Sequence, residues 1–242
     1  HIIFSHFHYD HCADLASFAL ARWDQSAGRF PDVKIFGPTH VKALVSSLFS
    51  PEGAFGPDQK ARTEHPASLG YFHARGGEGA RTPFSPVVTE LTSGDKIDGE
   101  GRGWRFRCVE VPHVQPYLSN LAFRFDDGTN SLCYSGDTSY SDAFVELGRD
   151  CDLLLHMCHR ISGTELTKAG QSSSAGHLDA ARAAHEMRAA TCVTTHISEQ
   201  MDAPGIPEKL IREMAAQYNG HIIWGKDLMT VSVTPPQPNQ LI

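Results

Sequence analysis

No stretch of this 242-residue chain approaches the roughly 20 consecutive apolar residues that a bilayer-spanning helix needs, so no membrane partner is expected. The six cysteines (Cys12, Cys108, Cys133, Cys151, Cys158 and Cys192) form no CxxC pair, and a chain of this size needs no disulfide staples. Reduced, mostly buried thiols and a cytoplasmic setting are the expectation. A dense basic run is also missing: Lys and Arg number 21 against 28 Asp and Glu, a formal net charge of -7. Phosphate recognition needs clustered Lys and Arg, so this balance argues against nucleic acid as a partner and leaves a small anionic substrate open. The chain has no initiator methionine and starts at His1. With 40% hydrophobic and 20% charged residues it is otherwise an ordinary globular composition. Histidine, at 14 residues, is what the chain has in unusual supply.

Short apolar runs alternate with amphipathic stretches, which predicts an α/β fold. Strands are predicted at 2–4, 33–36, 104–111, 121–125, 132–135, 153–155, 192–195, 221–224 and 228–233, and helices at 13–23, 39–49, 142–147, 178–190 and 207–218. Leu15, Phe18 and Ala19 are placed on one helix face. Between residues 50 and 86 periodicity disappears among Pro, Gly and Arg, so this segment reads as a surface insertion loop. It contains Tyr71-Phe72-His73, aromatics suited to a substrate wall, and Phe72 and His73 are candidate substrate contacts. The organisation expected is one domain over 1–234 with the 50–86 insertion inside it and a Pro-rich tail over 235–242.

The chemistry concentrates in His6-Phe7-His8-Tyr9-Asp10-His11, three imidazoles and a carboxylate directly after an apolar strand. Composition predicts roughly 0.003 such matches by chance. Imidazole with carboxylate suits Zn, Mn or Fe in the divalent state, and thiolate is absent from the cluster. His6 and His8 can face one ion while Asp10 and His11 face a second, so four donors this close suggest two metals.

This motif resembles that of the metallo-β-lactamase fold superfamily, and further segments follow in the family's order. Val111-Pro112-His113, Tyr134-Ser135-Gly136-Asp137-Thr138 and Val193-Thr194-Thr195-His196 are similar to its later ligand motifs, each at a strand end. The resemblance implies an αββα sandwich of two mixed sheets flanked by helices. It implies one divalent ion on His6, His8 and His113, a second on Asp10, His11 and His196, and Asp137 bridging them. Zinc is the first choice, with manganese or iron as alternatives. Gly176-His177-Leu178-Asp179-Ala180-Ala181 is similar to a segment of the branch that includes ribonuclease Z, phosphodiesterases and arylsulfatase-like enzymes. There it carries a catalytic His, so His177, with Asp10 and Asp137, is a catalytic candidate. Where ribonuclease Z has a His-Glu pair, this chain has His156-Met157, without the carboxylate. His156 and His159 read as structural histidines, Cys12 as a packing residue, and Tyr117 as a candidate substrate contact on the pocket rim.

The implied function is a dinuclear metal-dependent hydrolase whose metal-bridged hydroxide attacks a phosphodiester or related ester of a small molecule. A lactone or ring-opening hydrolase is the alternative, and an iron-dependent oxidoreductase on the same fold the next. No long basic arm is present, which adds to the argument against tRNA processing. A homo-oligomer, in the first instance a dimer, is expected. Because the family places strands before its first motif, the N-terminal strands are expected in a missing or separate segment that completes the fold.

Overall fold

The structure is a computed structural model that describes residues 1–99, 101–165 and 167–233. The expected tail at 235–242 lies outside the described residues. The chain divides into two compact units, His1–Leu91 and Thr92–Ile242.

The first unit is built on a three-stranded sheet, β1 (Ile2–Ile3), β2 (Lys34–Gly37) and β3 (Val87–Glu90), in the order β1-β2-β3 and parallel throughout. Its helices are α1 (Tyr9–Cys12), α2 (Leu15–Ser26), α3 (Val41–Phe49), α4 (Gly56–Glu64) and α5 (Pro66–Ala74). Leu15, Ala19 and Trp23 recur at helical spacing along α2 and join Phe4, Ile35, Val41, Val45, Phe49 and Phe84 in one core. Phe18, expected on that face, is exposed instead. The helix stops where Ala27 and Gly28 turn left-handed, at φ 48° and 76°.

The insertion expected as a loop holds two helices, α4 and α5. Hydrophobic periodicity could not reveal α4, because it buries only Gly56 and Gln59. Its anchor is polar: the Gln59 amide donates to the Phe49 carbonyl at 2.9 Å, and its oxygen accepts from the Phe84 N–H at 3.0 Å. Pro57 and Pro66, which read as breaks, stand in the first turns of the two helices. A missing N–H costs nothing there.

The second unit carries a seven-stranded mixed sheet of β4 (Lys96–Asp98), β5 (Arg105–Glu110), β6 (Leu121–Asp126), β7 (Ser131–Tyr134), β8 (Leu153–Met157), β9 (Thr191–Thr195) and β10 (His221–Trp224). The spatial order is β10-β9-β8-β7-β6-β5-β4. Pairing is parallel from β7 to β10 and antiparallel from β4 to β7. Two reversals bring β5 back to the direction of β7, so β5, β7, β8 and β9 all end on the same edge of the sheet. Four helices accompany it: α6 (Asp142–Leu147), α7 (Lys168–Ser173), α8 (His177–Met187) and α9 (Ile206–Ala215). The small Ala180, Ala181, Ala183 and Ala184 of α8 sit with Val111, Phe144, Leu154 and Met187 in its main core. A smaller cluster gathers Cys158, Met201, Leu210 and Trp224. The strand expected at 228–233 does not form: Leu228 is exposed and left-handed at φ 62°, which breaks an extended run. Among the described residues no helix is long and apolar enough to cross a membrane.

Candidate metal centre

In the first unit the chain leaves β1 and turns so that a single short segment presents four donors. His6 is buried, with Nδ1 3.1 Å from Ser5 Oγ and Nε2 3.0 Å from His8 Nδ1. The helix α1 then supplies Asp10 and His11, whose Oδ2 and Nε2 lie 3.4 Å apart, and the His11 ring is 4.2 Å from that of His6. Two atoms bound at 2.0–2.1 Å to one tetrahedral ion lie about 3.3 Å apart, so these spacings fit metal donors. Cys12 donates to the His8 carbonyl at 3.3 Å, and burial, then the Asp10 charge, push its thiol pKa up. It stays a thiol that braces the turn.

In the second unit three donors arrive from three strand ends. His113 follows β5, Asp137 follows β7 and His196 follows β9. The Asp137 side chain is 6% exposed, and its Oδ2 lies 3.3 Å from His196 Nε2 and 3.9 Å from His113 Nε2. Gly136, left-handed at φ 57°, makes the turn that delivers Asp137. His196 is also left-handed, at φ 55°, a conformation that costs a non-glycine residue roughly 1–2 kcal/mol. Such strain gathers at functional positions. The His113 Nδ1–H donates to the Ser173 carbonyl, since a carbonyl can only accept. That leaves the Nε2 lone pair directed at the Asp137 side, the state a metal ligand requires.

His177 opens α8 and is fully buried. Its Nδ1 accepts from the Ser162 N–H at 3.1 Å, which puts the ring proton on Nε2, where it donates to Glu213 Oε2 at 2.8 Å. Glu213, on α9, escaped the sequence reading. The carboxylate absent beside His156 is supplied to His177 by another helix, and the amphipathic pattern of α9 gives no hint of it. His156 is buried and donates from Nδ1 to the Met157 carbonyl at 2.8 Å, and burial lowers its pKa, so it is neutral.

The candidate substrate contacts fare differently. Phe72 on α5 is 4% exposed and packs near the Arg81 guanidinium, 5.4 Å from the ring centre. His73 donates from Nδ1 to the Gly77 carbonyl at 3.0 Å. Tyr117, in the loop after His113, is 85% exposed. All six cysteines are free; burial raises Cys108 to about 11 and Cys158 to about 12.

A family model described as the beta-lactamase superfamily domain matches residues 1–197, and the chain belongs to that superfamily. Its α/β architecture of sheets flanked by helices is the metallo-β-lactamase fold, and hydrolase is the class this membership supports. Among named relatives, "Ribonuclease Z" of Mycobacterium bovis (strain BCG / Pasteur 1173P2) is 27% identical over 97% of this chain and 79% of its own length. The Bacillus subtilis (strain 168) protein named "Probable metallo-hydrolase YhfI" is 27% identical over 91% of this chain and 73% of its own. The YhfI crystal structure superposes with a TM-score of 0.65 at 18% identity, covering 93% of this chain and 73% of that one. The short form of human tRNase Z gives 0.61 at 18%, covering 97% and 79%.

These relatives overturn one expectation. A small-molecule substrate with nucleic acid excluded does not stand beside relatives named ribonuclease Z and tRNase Z. The exclusion rested on a side-chain charge of -7 summed over the whole chain, together with the lack of a dense basic run or a long basic arm. Such a sum does not set the potential at one site, and it leaves out the charge of any bound cation, the largest local charge in a metal site.

Proposed function

We propose that the protein is a metal-dependent phosphodiesterase that cleaves nucleic acid, RNA in the first instance, with two divalent cations. The observation that carries the reading is the donor arrangement. His6, His8, Asp10 and His11 converge in the first unit, and Asp137 stands between two imidazole Nε2 atoms in the second. All seven are metal ligands in this proposal: His6, His8, Asp10 and His11 from the first unit, and His113, Asp137 and His196 from the second. The ribonuclease Z relatives support the phosphodiester substrate.

Two divalent cations, zinc first, would supply a water acidified to near-neutral pKa and a Lewis acid for the phosphoryl oxygen. The chain's own groups do the rest. Ser173 holds His113 in the tautomer that presents Nε2. Asp10, with its side chain 45% exposed beside His11, is placed to exchange a proton with solvent or substrate. Glu213 fixes the Nε2–H tautomer of His177. Tyr117 offers an exposed aromatic face on which an unstacked base can lie.

The test is cleavage of bis(p-nitrophenyl) phosphate and of a 3′-extended tRNA transcript by chelator-stripped protein reloaded with Zn, Mn or Fe. The expected result is two ions bound per chain, cleavage of both substrates by the reloaded protein, and loss of both activities in Asp137→Ala. Reloaded protein that cleaves neither substrate overturns the proposal.

A further inference from the structure

We infer that His159, a residue outside the donor set, is a positioning residue that holds His196 in its ligating tautomer. This rests on the reading of His196 as a metal ligand. His159 and His196 follow the ends of β8 and β9, neighbouring parallel strands in the register Leu155↔Val193, His156↔Thr194, Met157↔Thr195. The Cys158 N–H donates to the Thr195 carbonyl at 2.7 Å, which carries the pairing on to the two histidines. Their rings meet edge to face, 68° between planes and 5.0 Å between centres, with Nδ1 3.1 Å from Nδ1.

Two imidazole nitrogens at that distance form a hydrogen bond only if one carries a proton and the other a lone pair. The far nitrogen of His196, Nε2, lies 3.3 Å from Asp137 Oδ2. A nitrogen that ligates a cation must offer its lone pair, so the single proton of a neutral His196 ring belongs on Nδ1. His196 then donates and His159 Nδ1 accepts, with the proton of His159 on its own Nε2. His113 shows the same design, with its Nδ1–H on the Ser173 carbonyl and its Nε2 toward Asp137. Both candidate ligand imidazoles of the second unit thus have an acceptor behind them. Behind His113 it is backbone; behind His196 it is a side chain, and it can be changed. The left-handed backbone of His196 makes the support more useful, because a single strained residue beyond a strand end otherwise sets the ring's direction alone.

His159 is exposed, so replacing it leaves the core intact. Asn places a carbonyl oxygen at the position of Nδ1 and keeps the acceptor, whereas Leu fills similar space and accepts nothing. Zinc affinity is read by competition with a chromogenic chelator, and the visible spectrum of cobalt-loaded protein reports ligand geometry. Thermal melts of the metal-free proteins confirm that each variant is folded. His159→Leu is expected to weaken the weaker-bound zinc about 10-fold, the low end of the range for such partners because water can reach the exposed position. It also changes the cobalt spectrum, while His159→Asn binds like the wild type. Unchanged affinity and spectrum in His159→Leu overturn the inference, as does His159→Asn behaving like His159→Leu, which would assign His159 to packing. Wild-type protein that binds no metal overturns the metal reading itself, a different result from metal-binding wild type with an indifferent His159→Leu.

Discussion

Replacing Asp24 with asparagine tests how the helical insertion of the first unit is held. The Asp24 carboxylate, on α2, receives three guanidinium groups: Arg62 at 2.9 Å, Arg75 at 2.9 Å and Arg81 at 2.6 Å. The three do not count equally. Arg62 keeps Asp58 at 2.9 Å, and Arg75 is half exposed, so each loss is worth under about 1 kcal/mol. The Arg81 side chain is only 5% exposed, stacked 4.3 Å above the Trp23 ring, and Asp24 is its only carboxylate partner among the described ion pairs. Breaking a buried pair by removing one partner costs about 3–5 kcal/mol. Asp24 is itself 20% exposed and the Trp23 contact survives, so the lower end applies, about 3 kcal/mol. For a chain of this size that lowers the melting temperature by roughly 6–12 °C. Burial alone would raise the Asp24 carboxyl, but hydrogen bonds from Arg81 and Arg75 and the Arg62 charge outweigh it and hold it below its ordinary value. Its contribution is therefore complete above the unfolded-state pKa and is lost as pH falls through the lower folded-state value. Urea unfolding of both proteins at pH 7 and at acid pH reads this directly. A gap below about 1 kcal/mol at pH 7, or one that widens on acidification, refutes the reasoning.

Substitutions at two further positions have definite outcomes. Glu213→Leu leaves the buried Nε2–H of His177 without its acceptor and is expected to lose about 1–3 kcal/mol in urea unfolding, while Glu213→Gln keeps an acceptor and stays close to the wild type. Equal stability of the two variants removes the bond from the account. Phe72→Ala empties a buried ring site and is expected to cost about 3–5 kcal/mol by the same assay. A near-neutral stability paired with a raised KM would return Phe72 to the substrate wall.

The seven candidate donor positions stand out in the sequence because they gather just past short apolar runs: His6, His8, Asp10 and His11 after Ile2-Ile3-Phe4, and His113, Asp137 and His196 just beyond strand ends, where a side chain can be both fixed and accessible. The central strands were legible from their composition: β8 reads as a near-continuous apolar stretch, and β9 as a run dominated by β-branched Thr and Val. What stayed hidden is polar or long-range. Helix α4 has no apolar stripe and is tied down through Gln59. The partnership of His177 with Glu213 spans two helices far apart in sequence, and neither residue marks the other. His159 looked like one more structural histidine, since an imidazole–imidazole bond leaves no trace in spacing. Net charge was no ground for setting nucleic acid aside, because it averages over the whole surface, whereas a polyanion would meet only one part of it.

The common edge at which β5, β7, β8 and β9 end has a consequence for the life of the molecule. His113, Asp137 and His196, with His159 behind the last, are neighbours only while four strands keep their alignment, so the donors of the second unit belong to the sheet and to no local segment. A slip of one residue in any of these strands would send its terminal side chain to the opposite face. Cations that bind the aligned state and not the unfolded chain would penalise every such slip, by about 2.7 kcal/mol when free metal stands at a hundred times its dissociation constant. The edge would then act as a ratchet for the fold: metal supply would set how long the second unit survives heat or proteolysis, independently of any turnover.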